Sequence, residues 1–141
     1  MSGYEIRTEY ETTKVRKRDL VYPELSYAIL GCLFKTWTER GAGHKEKIYQ
    51  KAVATELRAK ELAFTEQFPI KLYQRETFIG IYYVDFLIEN KVVVELKVRN
   101  YFSNKDIQQL YSYLKGLNLQ LGILAHFTES GVKYKRVVNI V

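Results

Sequence analysis

Two short apolar runs each carry acidic chemistry: Ile79–Ile88 holds Asp85, and Val92–Val98 holds Glu95-Leu96-Lys97. Runs this apolar should be strands buried on at least one face. An unpaired charge in such a strand costs several kcal/mol. If Glu89-Asn90-Lys91 forms a three-residue hairpin loop, Ile88 faces Val92 and Asp85 lies opposite Glu95. Their Cβ atoms would then stand ~5 Å apart on one face. Lys97, two residues beyond Glu95, points the same way. Two carboxylates and an ammonium at one spot make a divalent-metal site with a charged helper for hydrolysis. The same residues also fit a salt-bridged cluster on the solvated face of an amphipathic hairpin. A two-residue turn would shift the register by one and send the acids to opposite faces.

The flanking sequence supplies elements to hold this hairpin. Residues 1–20 are charged without a sustained period and read as an N-terminal arm or an edge strand, leaving 21–141 as the domain. Pro23 suits a first helical position and is followed by Leu25, Ala28, Ile29, Cys32 and Leu33 at helical spacing. Gly41-Ala42-Gly43 breaks that helix. A second carries Tyr49, Ala52, Val53 and Leu57 and ends near Leu62. Glu46 stands in its first turn, at helical spacing from Tyr49 and Val53, so it faces the body of the protein; the helix dipole alone would also favour an acid there. A strand over roughly Thr65–Tyr73 precedes the hairpin. Ser103 with Asp106 resembles a capping box for a third helix, with stripe Ile107, Leu110, Tyr111 and Leu114 and a stop at Gly116. Leu119–Phe127 and Val132–Ile140 read as two last strands. The order α-α-β-β-β-α-β-β implies an α/β fold with a mixed sheet, the pair joined through the third helix being parallel.

At 141 residues the chain is one domain with room for one core. No apolar stretch approaches the ~20 residues of a membrane span, and the first residues show no signal-peptide pattern. Cys32 is the single cysteine, which fits a reducing cytoplasm; with only His44 and His126 beside it, a zinc cluster is not expected. The net charge of +6 is concentrated in residues 91–141, where eight basic and three acidic side chains give +5, with Lys133, Lys135 and Arg136 among them. A basic face favours a polyanionic partner, most often nucleic acid. Tyr101 and Phe102, beside Arg99 and Asn100 after the second hairpin strand, are candidates for contact with it or for anchoring their loop.

Gly43-x-x-Glu46-x-x-Tyr49 resembles the signature of the GxxExxY proteins, a family in the PD-(D/E)XK nuclease-like superfamily. The resemblance runs from about Asp19 to the C-terminus. It passes through Glu56-Leu57, Glu66-Gln67, Asp85, Glu95-Leu96-Lys97, Gln109-x-x-x-Tyr113-Leu114-Lys115, Gly122-Ile123-Leu124 with Phe127, and Lys135-Arg136. It implies a restriction-endonuclease-like αβββαβ core with an extra N-terminal helix and a C-terminal strand. It further implies a Mg²⁺- or Mn²⁺-dependent nuclease acting on DNA, working as a homodimer. Asp85, Glu95, the Leu96 carbonyl and Glu46 would hold the metal; Lys97 would act on the attacking water and the transition state. Gln109 matches the family glutamine, although on a helix it falls nearly opposite the apolar stripe while Gln108 lies beside it. Thr36-Trp37 stands where the family commonly has Val-His, so Trp37 is expected to pack in the core or to stack on a base; Lys45 stands at a usually apolar place and is a candidate phosphate contact. A nucleic-acid-binding or scaffolding subunit of a repair or defence complex, catalytically idle, is the alternative.

Overall fold

The computed structural model describes the backbone of Tyr4–Thr8 and residues 21–140. Its elements are β1 (Tyr4–Thr8), α1 (Pro23–Arg40), α2 (Glu46–Ala59), β2 (Phe64–Gln74), β3 (Thr77–Ile88), β4 (Val92–Lys97), α3 (Asn104–Leu117), β5 (Leu121–Thr128) and β6 (Gly131–Asn139). Six strands form one mixed sheet in the order β1-β6-β5-β4-β3-β2. β4 and β5 run parallel, as expected for strands joined through a helix, and the other neighbours are antiparallel. β1, inside the segment expected to be an arm or an edge strand, pairs with β6 at the sheet's edge; residues 9–20 lie outside the described residues.

Two apolar layers sandwich the sheet. On one face α1 and α2 bring Ile29, Cys32, Leu33, Tyr49, Val53 and Leu57 against Phe86, Ile88, Val94, Leu96 and Ile123. On the other, α3 brings Ile107, Leu110, Tyr113 and Leu114 against Val84, Leu87, Val93, Leu124 and Val137. The buried stripe of α3 differs from the expected one, because Tyr113 is buried while Tyr111 packs only partly. Leu110 sits so close to β5 that a Cβ at Gly122 would stand 2.9 Å from it, which accounts for a residue without a side chain there. Ser103 caps α3 by accepting the Lys105 N–H. Asp106 does not act as the second half of a capping box: it turns to Arg99, 3.1 Å away. The helix runs past Gly116 to Leu117 and is closed by Asn118 in the left-handed region.

Candidate active site

The loop before α2 accounts for the spacing Gly43-x-x-Glu46-x-x-Tyr49. Gly43 adopts φ +93, a conformation that L side chains rarely take. The Tyr49 hydroxyl donates to the Gly41 carbonyl at 2.6 Å, and its ring stacks on Phe127 with centroids 4.2 Å apart. Glycine and tyrosine thus tie the entry loop to β5, and this fixes where α2 begins. Glu46 occupies the first turn of that helix, and its side chain lines a cavity of about 640 Å³.

The hairpin supplies the opposite wall. Glu89-Asn90-Lys91 is its turn, closed by the Lys91 N–H on the Ile88 carbonyl, and Ile88 faces Val92 as expected. Pairing of β3 with β4 runs only to Phe86↔Val94. One residue further, side chains replace the ladder. The Asp85 N–H donates to Glu95 Oε1 at 2.7 Å, and the Leu96 N–H donates to Asp85 Oδ2 at 2.7 Å. Each acid therefore satisfies a backbone donor left unpaired where the strands part.

The parting has a visible cause. On β3, Phe86 and Ile88 pack in the α1–α2 layer, whereas Val84 and Tyr82 pack in the α3 layer. β2 does the same, with Phe64 in the first layer and Phe68, Ile70 and Leu72 in the second. Residues of one parity should share one face of a strand, so the β2–β3 ribbon turns over at Gln67 and Asp85. The pairing lapses between Glu66↔Phe86 and Phe68↔Val84, and Gln67 takes φ +50. Beyond that point the ribbon swings away from β4, and the cavity opens in the gap.

Glu46, Gln50, Gln67, Tyr82, Asp85, Glu95 and Lys97 all line this cavity. Tyr82 donates to Glu95 Oε2 at 2.8 Å and stacks on Tyr113 at 4.6 Å. Burial, reinforced by the Asp85 charge, pushes the Glu95 carboxyl up to about 7. Burial also raises Asp85, and burial with the Asp85 charge raises Glu46. No ion pair joins Lys97 to either hairpin acid among the described residues, so the salt-bridged cluster is not formed. Among the described residues no three His, Cys, Asp or Glu side chains close on a single point. Asp85 and Glu95 are therefore the inner acids, and Glu46 reaches the same cavity from the far wall. An oxygen-only donor set fits a hard divalent cation, since Mg²⁺ commonly takes one or two carboxylates and keeps several waters. Leu96 buries its side chain in the α1–α2 layer, leaving only its backbone to contribute.

Not every expected residue arrives here. Gln109 is half-buried on α3 and does not line the cavity; Gln108 is exposed. Arg136 does not belong to the basic surface. It is 1% exposed and donates to the Val21 carbonyl and to Ser26 Oγ, pinning β6 to the start of α1. Trp37 packs beside the core with its N–H on the Thr128 carbonyl at 2.9 Å. Tyr82 was not legible as a site residue, because nothing in its spacing reports that the ribbon turns over; Gln50, four residues after Glu46 on the same face of α2, carried a signal that was not used. Gln67 was visible only as part of a resemblance.

Comparison with known proteins adds one match: a family model described as the PD-(D/E)XK nuclease superfamily aligns with residues 23–137. No curated protein and no solved structure matches.

Proposed function

The chain belongs to the PD-(D/E)XK nuclease superfamily, and from that membership we propose that it is a Mg²⁺- or Mn²⁺-dependent nuclease hydrolysing phosphodiester bonds in DNA, of the GxxExxY type. The observation that carries this reading is the meeting of Asp85, Glu95, Lys97 and Glu46 in one cavity where β3 leaves β4. Asp85, Glu95 and the Leu96 carbonyl would hold the ion, with Glu46 completing the shell directly or through water. A bound divalent ion supplies Lewis acidity and a water of lowered pKa. Lys97 would orient the attacking water and stabilise the charge that develops in the transition state. Gln109, outside the cavity, has no role in this reading. Lys47 and Lys51 on the cavity wall, with Arg99 nearby, suit a phosphate backbone. The reading includes a homodimer in the cytoplasm. The ribbon beyond the cavity exposes Ile79, Ile81 and Tyr83, which a second copy would cover.

A second reading, a binding domain without catalysis, draws on one observation: both Glu95 oxygens already accept internal donors, Tyr82 and the Asp85 N–H. A cleavage panel in Mg²⁺ and Mn²⁺ over single-stranded, duplex, flap and four-way-junction DNA separates the two. Cutting by the wild type that Glu95→Ala abolishes supports the nuclease. Equal cutting by Glu95→Ala removes this site, and DNA binding without any cutting favours the idle domain.

A further inference from the structure

We propose that Gln67 is a positioning residue for the Asp85 carboxylate, oriented by a hydrogen-bonded chain that starts at an ion-paired glutamate on α2's flank. The inference rests on the reading of Asp85 as a metal-holding acid. The Gln67 amide nitrogen donates to Asp85 Oδ1 at 3.3 Å and to Gln50 Oε1 at 2.8 Å. Gln50, itself buried, donates its own amide nitrogen to Glu66 Oε2 at 3.0 Å. Glu66 is held by Lys51 at 3.2 Å and faces Arg58 at 3.6 Å. Burial pushes the Glu66 carboxyl up, but hydrogen bonds from Gln50 and Lys51 outweigh it and leave it below the ordinary range.

The direction of this chain follows from its charged end. An ionised carboxylate only accepts, so Gln50 must turn its NH₂ toward Glu66 and its oxygen toward Gln67. Gln67 must then turn its NH₂ toward Gln50, and the second N–H of that group is the one that reaches Asp85. A free amide could equally present its oxygen to Asp85 and repel it. The Glu66 anion, two side chains away, forbids that flip. With Leu96 N–H on Oδ2 and Gln67 on Oδ1, both oxygens of Asp85 are fixed, and the plane of the carboxylate is set before any ion arrives.

The backbone at Gln67 points the same way. Its φ of +50 lies inside a strand, where a non-glycine residue in the left-handed region is strained. Glycine would take that conformation freely. A glutamine there delivers an amide to the one place where β2 stops pairing with β3 beside Asp85.

Titration calorimetry with Mn²⁺ alone, on the full chain, tests this, with melting temperature as the second readout. Gln67→Gly should melt at or above wild type while binding Mn²⁺ about tenfold more weakly, the order of loss seen when a group behind a metal ligand is removed. Glu66→Gln, which keeps the shape but frees the amides to flip, should weaken Mn²⁺ in the same direction by a smaller factor. Wild-type Mn²⁺ affinity in Gln67→Gly overturns the positioning role while leaving the metal site standing, provided that Glu95→Ala loses binding. A wild-type protein that takes no Mn²⁺ overturns both readings.

Discussion

Glu95 and Lys97 sit two residues apart on β4, and different physics governs each. The Glu95 carboxyl is 6% exposed and titrates near 7 rather than its usual 4.5. Below about pH 4.5 it is neutral in the folded and unfolded chain alike. As pH rises through 7 the fold must ionise a group it holds protonated, so stability on the order of a few kcal/mol that is present in acid is lost. Glu95→Gln in EDTA should therefore be more stable than wild type at pH 8 and nearly equal at pH 4.5, measured as denaturation midpoints. A variant that is less stable at pH 8 would show that the Tyr82 and Asp85 contacts outweigh the buried charge. Among the described residues Lys97 makes no ion pair with the hairpin acids, and in the proposed mechanism its ammonium acts on substrate. Lys97→Ala should lower kcat by about 10²–10³-fold with a small change in KM, because the lost interaction belongs to the transition state. A raised KM at constant kcat would instead mark Lys97 as a phosphate anchor.

Elements carried most of what the sequence made legible. The hairpin's two strands were legible from their apolar runs, while the sequence allowed two turns between them; the protein takes the three-residue one, with Ile88 opposite Val92. The α1 and α2 stripes were legible from their helical spacing. What escaped was how side chains of one element pack on another. The turnover of the β2–β3 ribbon at Gln67 and Asp85 keeps the alternation in the sequence unbroken while exchanging the faces in space. Arg136 read as a surface cation because its neighbours Lys133 and Lys135 carry the same charge, yet alternation places it toward α1. Gly122 was readable only as part of a motif, and its reason lies on another element. The α3–β5 contact makes a prediction: Gly122→Ala should cost about 1–3 kcal/mol by forcing a Cβ against Leu110. Leu110→Ala alone should cost about 2–5 kcal/mol. The double variant should be less destabilised than the sum, since the alanine at position 110 opens the space that the new Cβ needs. Strict additivity in urea midpoints would mean that α3 does not set the constraint.

At the scale of the whole molecule, charge and pH act on surface and core in separable ways. If the basic C-terminal strand tracks a phosphate backbone, Lys133→Ala with Lys135→Ala should reduce the salt slope of DNA binding by about 2, one per lost contact. Arg136 must be left in place, because its removal would unpin β6 from α1 rather than test binding. An unchanged slope would locate the contact at Lys45, Lys47, Lys51 and Arg99. The core carries the opposite pH term to Glu95. His126 is wholly buried on β5, stacked on Phe102 with ring centroids 4.0 Å apart. Burial, aided by the Arg99 charge, pushes it down to about 4 from 6.5. Above pH 6.5 the imidazole is neutral in both states and costs nothing. As pH falls from 6.5 to 4, the unfolded chain takes up a proton that the fold refuses, and about 3 kcal/mol of stability is lost. Between about pH 4.5 and 6.5 His126 and Glu95 therefore oppose each other, while Asp85 and Glu46, also raised by burial, act in the same direction as Glu95. His126→Leu should make stability without metal rise more steeply toward acid than in the wild type, because the group that opposes the raised carboxyls is gone. Glu95→Gln should shift the profile the other way, by removing the Glu95 share of that rise. A profile that His126→Leu leaves unchanged would mean that His126 takes its proton inside the fold, with Phe102 displaced and Asp106 as its partner.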